Sequence, residues 1–133
     1  MLKTSVYHNG PAALRYPRGP GLGVPLDSEI KKLEIGKGEV IQDGTDIAII
    51  AYGHTVDWAQ QVAKKFEKEG VSVAVLNARF AKPVDKELIV KYALKTRCLV
   101  TTEEHSLMGG FGSAVLEALQ EEEVFHIPVK CIG

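Results

Sequence analysis

From residue 38 onward, apolar and polar positions follow a repeating order of strand and helix patterns. Three runs are almost continuously apolar, as expected of parallel strands covered on both faces, and they span residues 46–52, 71–77 and 97–102. Between these runs, apolar residues recur every three or four positions, which is the spacing of an amphipathic helix. The pattern predicts an α/β domain in which right-handed crossovers join parallel strands and helices cover both faces of the sheet.

Three helices are predicted from this spacing. The first follows Thr55, a residue that can cap a helix, and ends at Gly70. Its apolar stripe consists of Val56, Ala59, Ala63 and Phe66. The second helix opens at Pro83, in the favoured first turn, and the third begins near Gly112. The acidic residues 121–123 oppose the negative end of the helix dipole, so we expect them to fray or leave the third helix.

Shorter elements are predicted at both ends of the chain. Residues 38–42 and 127–132 have strand patterns, and residues 12–16 form a further short strand candidate. Residues 1–8 have the spacing of the last turns of a helix without its beginning. No closing helix follows the last strand. We therefore expect the protein to extend beyond both ends of this chain.

A change in composition marks the boundary between domains. From Gly10 to Gly38 the chain holds six of its 13 glycines and four of its six prolines, which is typical of a linker. We divide the chain into the tail of a preceding domain (1–19), a linker (20–37) and the sheet domain (38–133).

Composition and charge exclude several classes of partner. The chain has 133 residues, 45% of them hydrophobic, and a net charge of −1, so nothing favours nucleic acid or an anionic membrane as a partner. No apolar stretch approaches the ~20 residues that cross a bilayer, and no signal peptide is recognisable. Cys98 and Cys131 lie in apolar strands, typical of buried thiols in a reducing compartment. We expect a cytoplasmic protein.

The glycine-rich sequence Met-Gly-Gly-Phe-Gly-Ser at residues 108–113 stands between a strand and a helix. Backbone N–H groups at a helix start favour phosphate, and glycines permit its close approach. The spacing is neither GxGxxG nor that of a GKS or GKT loop. A tight strand-to-helix turn with close packing on the sheet is therefore the favoured interpretation.

Acidic and imidazole side chains follow two of the predicted strands. Glu103, Glu104 and His105 follow one strand and His54 follows another, at the edge where open α/β sheets bind ligands. An acid–base pair or half of a metal site is one interpretation. Adjacent side chains in an extended segment point apart, and no third ligand is available at metal spacing. We favour a structural role, in which Glu103 or Glu104 caps the glycine-rich turn or pairs across an interface.

Arg15 and Arg18 lie in a short segment, residues 10–19, which begins and ends with proline and glycine residues. An arginine in a stiff segment loses little freedom on gripping an anion, and its planar guanidinium matches phosphate or carboxylate. From the residue types alone, ion pairs at a domain surface are the favoured interpretation, with anion binding as the alternative.

Segment 10–19 also resembles the GPxAxRYPRG signature of the 1-deoxy-D-xylulose 5-phosphate synthase family, thiamine-diphosphate enzymes of the transketolase superfamily. Further motifs follow in that family's order. They are Gly-Lys-Gly at 36–38, Arg-Phe-Ala-Lys-Pro-Val-Asp at 79–85 (family RFxKPLD), Thr-Thr-Glu-Glu at 101–104 and Gly-Gly-Phe-Gly-Ser at 109–113. The resemblance covers nearly the whole chain.

This resemblance implies a transketolase C-terminal-type domain: three α/β/α layers around a five-stranded mixed sheet whose first strand runs antiparallel to the rest. Residues 1–19 would be the tail of the preceding pyrimidine-binding domain. The family condenses pyruvate with glyceraldehyde 3-phosphate and releases carbon dioxide, and its product feeds isoprenoid, thiamine and pyridoxal phosphate synthesis. The full-length enzyme would use thiamine diphosphate and Mg²⁺ and would act as a homodimer.

Carried over residue by residue, Arg18 matches the family arginine that binds the phosphate of the acceptor substrate, and Arg15 is expected to assist. The family's activating glutamate, magnesium ligands and diphosphate-binding Gly-Asp-Gly motif have no match in this chain. No catalytic, cofactor-binding or metal-binding residue is therefore assigned, His54 and His105 receive no role, and the chain by itself is expected to be inactive.

Two other functions remain open from the sequence. One is a separately encoded C-terminal half of a transketolase or of a 2-oxoacid dehydrogenase beta subunit. The other is a free-standing nucleotide-binding or interaction module that uses the crevice near Gly53 and Gly109.

Overall fold

The computed structural model describes residues 1–16, 18–19, 21, 23 and 28–133. These residues form two compact units, Met1–Ile35 and Gly36–Gly133. Residue 17 of the arginine segment, and residues 20, 22 and 24–27 of the predicted linker, lie outside the described residues.

Among its described residues the first unit contains one short helix, α1 (Leu2–Val6), so the helix predicted at the start of the chain is confirmed. The hydroxyl of Thr4 accepts a hydrogen bond of 2.8 Å from the N–H of Leu33, and the ammonium of Lys32 lies 4.1 Å from the ring centre of Tyr7. The strand predicted at residues 12–16 is wrong, because these residues have no regular secondary structure. A short apolar run forms a strand only where another strand supplies its backbone partners.

The second unit is built on a five-stranded sheet. Its strands are β1 (Glu39–Gln42), β2 (Ile47–Ala51), β3 (Val73–Asn77), β4 (Cys98–Thr102) and β5 (Val129–Ile132). They lie in the order β1-β3-β2-β4-β5. Strand β1 pairs antiparallel with β3, and every other pairing is parallel. The mixed sheet with an antiparallel first strand is therefore confirmed.

Three helices cover this sheet: α2 (Thr55–Lys68), α3 (Lys86–Lys95) and α4 (Phe111–Glu121). Helix α2 packs on β2 and β3 at one face, whereas α3 and α4 pack on each other and on the opposite face. The three-layer α/β/α architecture is confirmed. No helix in the described ranges is long and apolar enough to cross a membrane.

Two apolar cores follow from the alternation of side chains along the central strands. In β2, Ala48 and Ile50 belong to the core shared with α3 and α4, while Ile49 and Ala51 belong to the core under α2. All four side chains are buried, which explains why the strand has no polar position to alternate with. Burial at about 25 cal/mol per Å² makes these two cores the main source of stability.

Two helix starts differ from the prediction. Helix α3 begins at Lys86 rather than at Pro83, because the carboxylate of Asp85 accepts a hydrogen bond of 3.1 Å from the N–H of Leu88 and so caps the helix. Thr55 is the first residue of α2 and makes no capping bond to it. The end of α4 at Glu121 agrees with the expected departure of the acidic tail.

Candidate functional site

This topology favours a ligand at the carboxyl ends of the parallel strands. The chain leaves β2 toward β3 on one side and leaves β4 toward β5 on the other, so the two connections diverge. Such a divergence creates a crevice outside the carboxyl ends of the strands. Gly53 and His54 follow β2 there, and residues 103–105 follow β4.

Glu103 closes one side of this crevice by capping α4. Its two carboxylate oxygens accept hydrogen bonds of 2.8 Å each, from the N–H of Phe111 and from the N–H of Gly112. The side chain is buried, with the residue 6% exposed. The expected capping role is confirmed for Glu103. The N–H groups that a phosphate would need are already bound.

Two of the three glycines of this turn, Gly110 and Gly112, are required for packing as the sequence predicted, whereas Gly109 has open space around it and a φ of 70° that suits the tight turn. A Cβ at Gly110 would lie 2.1 Å from the carbonyl oxygen of Ser106 and 2.6 Å from both carboxylate oxygens of Glu103. A Cβ at Gly112 would lie 2.7 Å from the hydroxyl oxygen of Thr101. Real Cβ atoms do not approach other atoms so closely, so each substitution would push the turn off the sheet.

The remaining polar side chains of the crevice do not form a catalytic pair. Glu104 and His105 are exposed and His54 is half-buried. Within the described ranges, neither imidazole hydrogen-bonds to a carboxylate, and no three His, Cys, Asp or Glu side chains cluster closely enough to hold a metal ion. The acid–base interpretation therefore has no support from this geometry.

Hydroxyl groups join β2 to β4 at the floor of the crevice. The Thr55 hydroxyl oxygen lies 3.0 Å from the carbonyl oxygen of Tyr52 and 2.9 Å from that of Thr102. The Thr102 hydroxyl donates to the Thr55 hydroxyl at 2.8 Å. Thr55 is 2% exposed, so these bonds satisfy polar groups that water cannot reach.

Two of the motifs that carry the resemblance pack against each other beside β1. Asp85 accepts a hydrogen bond of 2.9 Å from the N–H of Gly38 in addition to capping α3. A Cβ at Gly36 would lie 2.9 Å from Cγ of Pro83. The segments 36–38 and 79–85 therefore form one structural corner of the sheet domain.

Arg79 is the arginine of that corner. Its backbone has φ 57°, and its N–H donates a hydrogen bond of 3.1 Å to the side chain of Asn77. Its guanidinium forms an ion pair with Glu39 of β1. This pair ties the loop after β3 to the neighbouring antiparallel strand.

At the other end of β1, Asp43 joins the β1–β2 turn to the end of α3. It accepts hydrogen bonds of 2.5 Å from the ammonium of Lys95 and 2.8 Å from the hydroxyl of Tyr92. The Lys95 hydrogen bond, followed by those from Tyr92 and from the Gly44 N–H, lowers the pKa of Asp43 from 3.8 to about 2. Burial, followed by the Asp43 carboxylate, raises the pKa of Tyr92 from 10.0 to about 12.

The two predicted site arginines belong to the first unit. Arg15 and Arg18 are both exposed and lie in segments without regular secondary structure. In the part of the chain that the structure describes, neither guanidinium makes a hydrogen bond or an ion pair. The surface ion pairs favoured from composition are not formed there, and both side chains remain candidates for binding an anion.

Comparison with known proteins identifies the sheet unit. The family model "Transketolase, C-terminal domain" matches residues 36–133. The chain belongs to the transketolase C-terminal domain family. This match confirms the family resemblance seen in the motifs. It begins at Gly36, the first residue of the second unit, and leaves the arginine segment outside the family model.

Longer relatives match this transketolase C-terminal domain together with the segment that precedes it. The 1-deoxy-D-xylulose-5-phosphate synthase 1 of Geobacter sulfurreducens is 51% identical over 133 residues, which are 100% of this chain and 21% of that protein. The corresponding synthase of Heliobacterium modesticaldum is 52% identical over 133 residues, again 100% of this chain and 20% of that protein. The chain thus spans about a fifth of the length of these relatives.

A solved structure with the same fold is titled a split-gene transketolase, inactive beta4 tetramer. It is 43% identical, superposes with a TM-score of 0.73, and the match covers 77% of this chain and 33% of that one. The transketolase C-terminal fold is thus supported by structure as well as by sequence.

Sequence reasoning missed the two contacts that fix the two ends of the edge strand β1. The Asp43–Tyr92 bond joins residues 49 positions apart, and the Arg79–Glu39 pair joins residues 40 apart. Neither has a local sequence signal. The one available hint was the acidic residue in the turn before β2, which is common in turns for local reasons.

Proposed function

We propose that the chain is the C-terminal part of a 1-deoxy-D-xylulose-5-phosphate synthase, the transferase that condenses pyruvate with glyceraldehyde 3-phosphate and releases carbon dioxide. The observation that carries the proposal is the extent of the match. The synthases of Geobacter sulfurreducens and Heliobacterium modesticaldum align with all 133 residues, whereas the domain family model begins at residue 36. The likeness therefore includes the arginine segment, which is not part of the general domain.

Within this enzyme, Arg18 binds the phosphate of glyceraldehyde 3-phosphate and Arg15 assists it. Both side chains are exposed, and neither has an internal carboxylate partner in the described residues that would compete with a substrate. The neighbouring prolines, Pro11 and Pro17, limit the freedom that the segment loses on binding. Fixing the phosphate also orients the aldehyde carbon for reaction.

Thiamine diphosphate and Mg²⁺ are bound by other parts of the enzyme. The residues that the structure describes do not fit either group. The start of α4, which resembles a diphosphate site in its glycines, already holds the Glu103 carboxylate. The described residues contain no group of three metal-ligating side chains. The sheet domain therefore contributes packing against the remaining domains, and we propose a homodimer as the working assembly and the cytoplasm as its location.

A second candidate is a separately encoded C-terminal half of a transketolase-type enzyme. It is favoured by the solved structure at 43% identity, because that protein is named a split-gene transketolase. In that case the cofactor-binding residues that this chain lacks would belong to a partner polypeptide encoded by another gene. The free-standing nucleotide-binding module has no comparable support, because Glu103 occupies the helix start that such a module would use.

The coding sequence upstream of residue 1, together with an assay of the whole gene product, tests the proposal. We expect one reading frame that encodes cofactor-binding and pyrimidine-binding domains, and a purified product that releases carbon dioxide only when both pyruvate and glyceraldehyde 3-phosphate are supplied. An enzyme that accepts a ketose phosphate donor in place of pyruvate would instead support the transketolase alternative. A frame confined to this chain would contradict the first proposal.

A further inference from the structure

The cap of α4 has an unusual source. Gly110 is the N-cap residue and offers no side chain, and the first turn of the helix contains no acidic residue. The acceptor comes from Glu103, eight residues before Phe111 and nine before Gly112. A helix start without a local cap leaves its first N–H groups available to an anion. Here a distant side chain of the same protein fills that place.

The geometry of this contact is that of a bound carboxylate. Each oxygen of Glu103 accepts one N–H at 2.8 Å, so both donors face a single planar group. The surroundings are shaped around that group, since a Cβ at Gly110 would lie 2.6 Å from both oxygens. With the residue 6% exposed, the carboxylate lies out of reach of bulk water.

A second polar group faces the same turn of the helix and lacks a partner. The hydroxyl oxygen of Thr101 is fully buried and makes no hydrogen bond in the described residues. It lies 2.7 Å from the position of a Cβ at Gly112, and thus points at the first turn of α4. Thr101 and Glu103 are two residues apart, which places both on the α4 side of the extended chain. A buried hydroxyl without a partner is uncommon, and this one is a donor left available to an acceptor at the start of α4.

We propose that the start of α4 is a binding site for small carboxylates, with Glu103 as its built-in ligand. The donors are the N–H groups of Phe111 and Gly112, with the Thr101 hydroxyl beside them. Removing the Glu103 carboxylate should leave a site for acetate, which has the size and charge of the lost group. In the intact protein the tethered carboxylate keeps this site closed to phosphorylated substrates. The inference is independent of the proposed enzymatic function, because it concerns the fold of the sheet domain alone.

The test is the stability of the full chain carrying Glu103→Ala, measured by thermal unfolding in sodium acetate and in sodium chloride of equal ionic strength. We expect the variant to melt lower than the parent chain in chloride and to recover in acetate with a saturable dose response. At acetate tenfold above its dissociation constant, the ratio of folded to unfolded chain should rise about elevenfold. Hydrogen exchange of the Phe111 and Gly112 amides should slow over the same range of concentration.

Two control variants distinguish a site from a general salt effect. Glu103→Gln keeps the volume of the side chain, so acetate has no room and should give no more protection than chloride. Glu104→Ala removes an exposed neighbouring carboxylate and should respond to both salts like the parent chain. If Glu103→Ala gains nothing from acetate, whether it folds or stays unfolded in both salts, the proposal is wrong. An equal gain in all three variants would also overturn it.

Discussion

The phenolic hydroxyl of Tyr92 donates a hydrogen bond of 2.8 Å to the carboxylate of Asp43. Tyr92 is 2% exposed and lies in the core under α3, whereas Asp43 stands in the turn between β1 and β2. The bond therefore connects the turn after the antiparallel edge strand β1 to the last turns of α3. Lys95 completes the cluster by pairing with the same carboxylate.

This cluster makes part of the stability depend on pH at the acid end. The Lys95 hydrogen bond is the main reason that the pKa of Asp43 falls from its ordinary 3.8, the value expected in the unfolded chain, to about 2 in the folded chain. A carboxyl group with a lowered folded pKa stabilises the fold above its unfolded pKa and loses that effect as the pH falls through its folded pKa. We therefore expect the Asp43 contribution to be complete above about pH 5, to fall most steeply between about pH 4 and pH 2, and to be lost below about pH 2.

Urea unfolding of the parent chain and of Asp43→Asn, at several pH values, measures this contribution. The difference in unfolding free energy should be constant near neutral pH and should shrink between about pH 4 and pH 2. Asp57→Asn is a matched control, because among the described residues the Asp57 carboxylate has a hydrogen bond only from Gln61, on the surface of α2. A difference between parent and Asp43→Asn that is unchanged at pH 2 would contradict the assignment.

Replacing Asp85 should weaken the corner formed by the segments 36–38 and 79–85. Asp85→Ala removes both the cap of α3 and the acceptor for the Gly38 N–H. A lost cap costs roughly 1 kcal/mol and a second lost hydrogen bond a similar amount, so we expect the free energy of unfolding to fall by about 2 kcal/mol. Chemical denaturation measures the change.

Glu87→Ala provides the control for that variant. Glu87 pairs with Lys37 nearby, but its side chain is 85% exposed. Exposed pairs contribute little, so the change should stay within about 0.5 kcal/mol. Equal losses in the two variants would mean that the corner depends on surface charge and not on the Asp85 hydrogen bonds.

Alanine substitutions at Gly110 and at Gly70 distinguish the effect of packing on stability from the effect of backbone conformation. Gly70→Ala meets no atom within 4 Å and is disfavoured only by its φ of 79°, which costs about 1 kcal/mol. Gly110→Ala places a methyl group 2.1 Å from a backbone oxygen, and we expect a loss of at least about 2 kcal/mol. A smaller loss at Gly110 than at Gly70 in thermal or urea unfolding would contradict the packing role.

Calorimetry of the isolated chain tests where the cofactor binds. We expect no heat of binding when thiamine diphosphate and Mg²⁺ are added, because the start of α4 is filled and the described residues offer no metal-ligating cluster. The full-length Geobacter sulfurreducens synthase serves as the positive control. Tight, magnesium-dependent binding by the isolated chain would contradict the division of roles proposed above.

Most of the fold could be predicted from the sequence because its signals are local. The strands that became β2 and β3 are buried on both faces, so they have no polar residue to interrupt the apolar run. The antiparallel placement of β1 came only from the family resemblance, since strand order depends on contacts across the chain. Residues 12–16 have the same apolar signal but no strand structure, because composition alone does not supply a partner.

The site was harder to predict because its contacts are long-range. Sequence reasoning assigned a cap to Glu103 or Glu104 but had no means to choose between them, and burial of Glu103 makes that choice. Thr55 has the side chain of a capping residue, yet its hydroxyl is used between β2 and β4. In both cases the tertiary neighbours decide which of several local possibilities a polar side chain adopts.

The central claim is that Arg18 binds the phosphate of the acceptor substrate. Its most direct test is the steady-state kinetics of Arg18→Ala in the full-length enzyme, with glyceraldehyde 3-phosphate and with unphosphorylated glyceraldehyde as acceptors. Arg18→Lys and Arg15→Ala serve as matched variants. Loss of a charge-assisted hydrogen bond should lower kcat/KM for the phosphorylated acceptor by about 10- to 100-fold. The KM for pyruvate and the activity with glyceraldehyde should change less than about twofold. Equal losses with both acceptors, or an equal rise of KM for pyruvate, would contradict the claim.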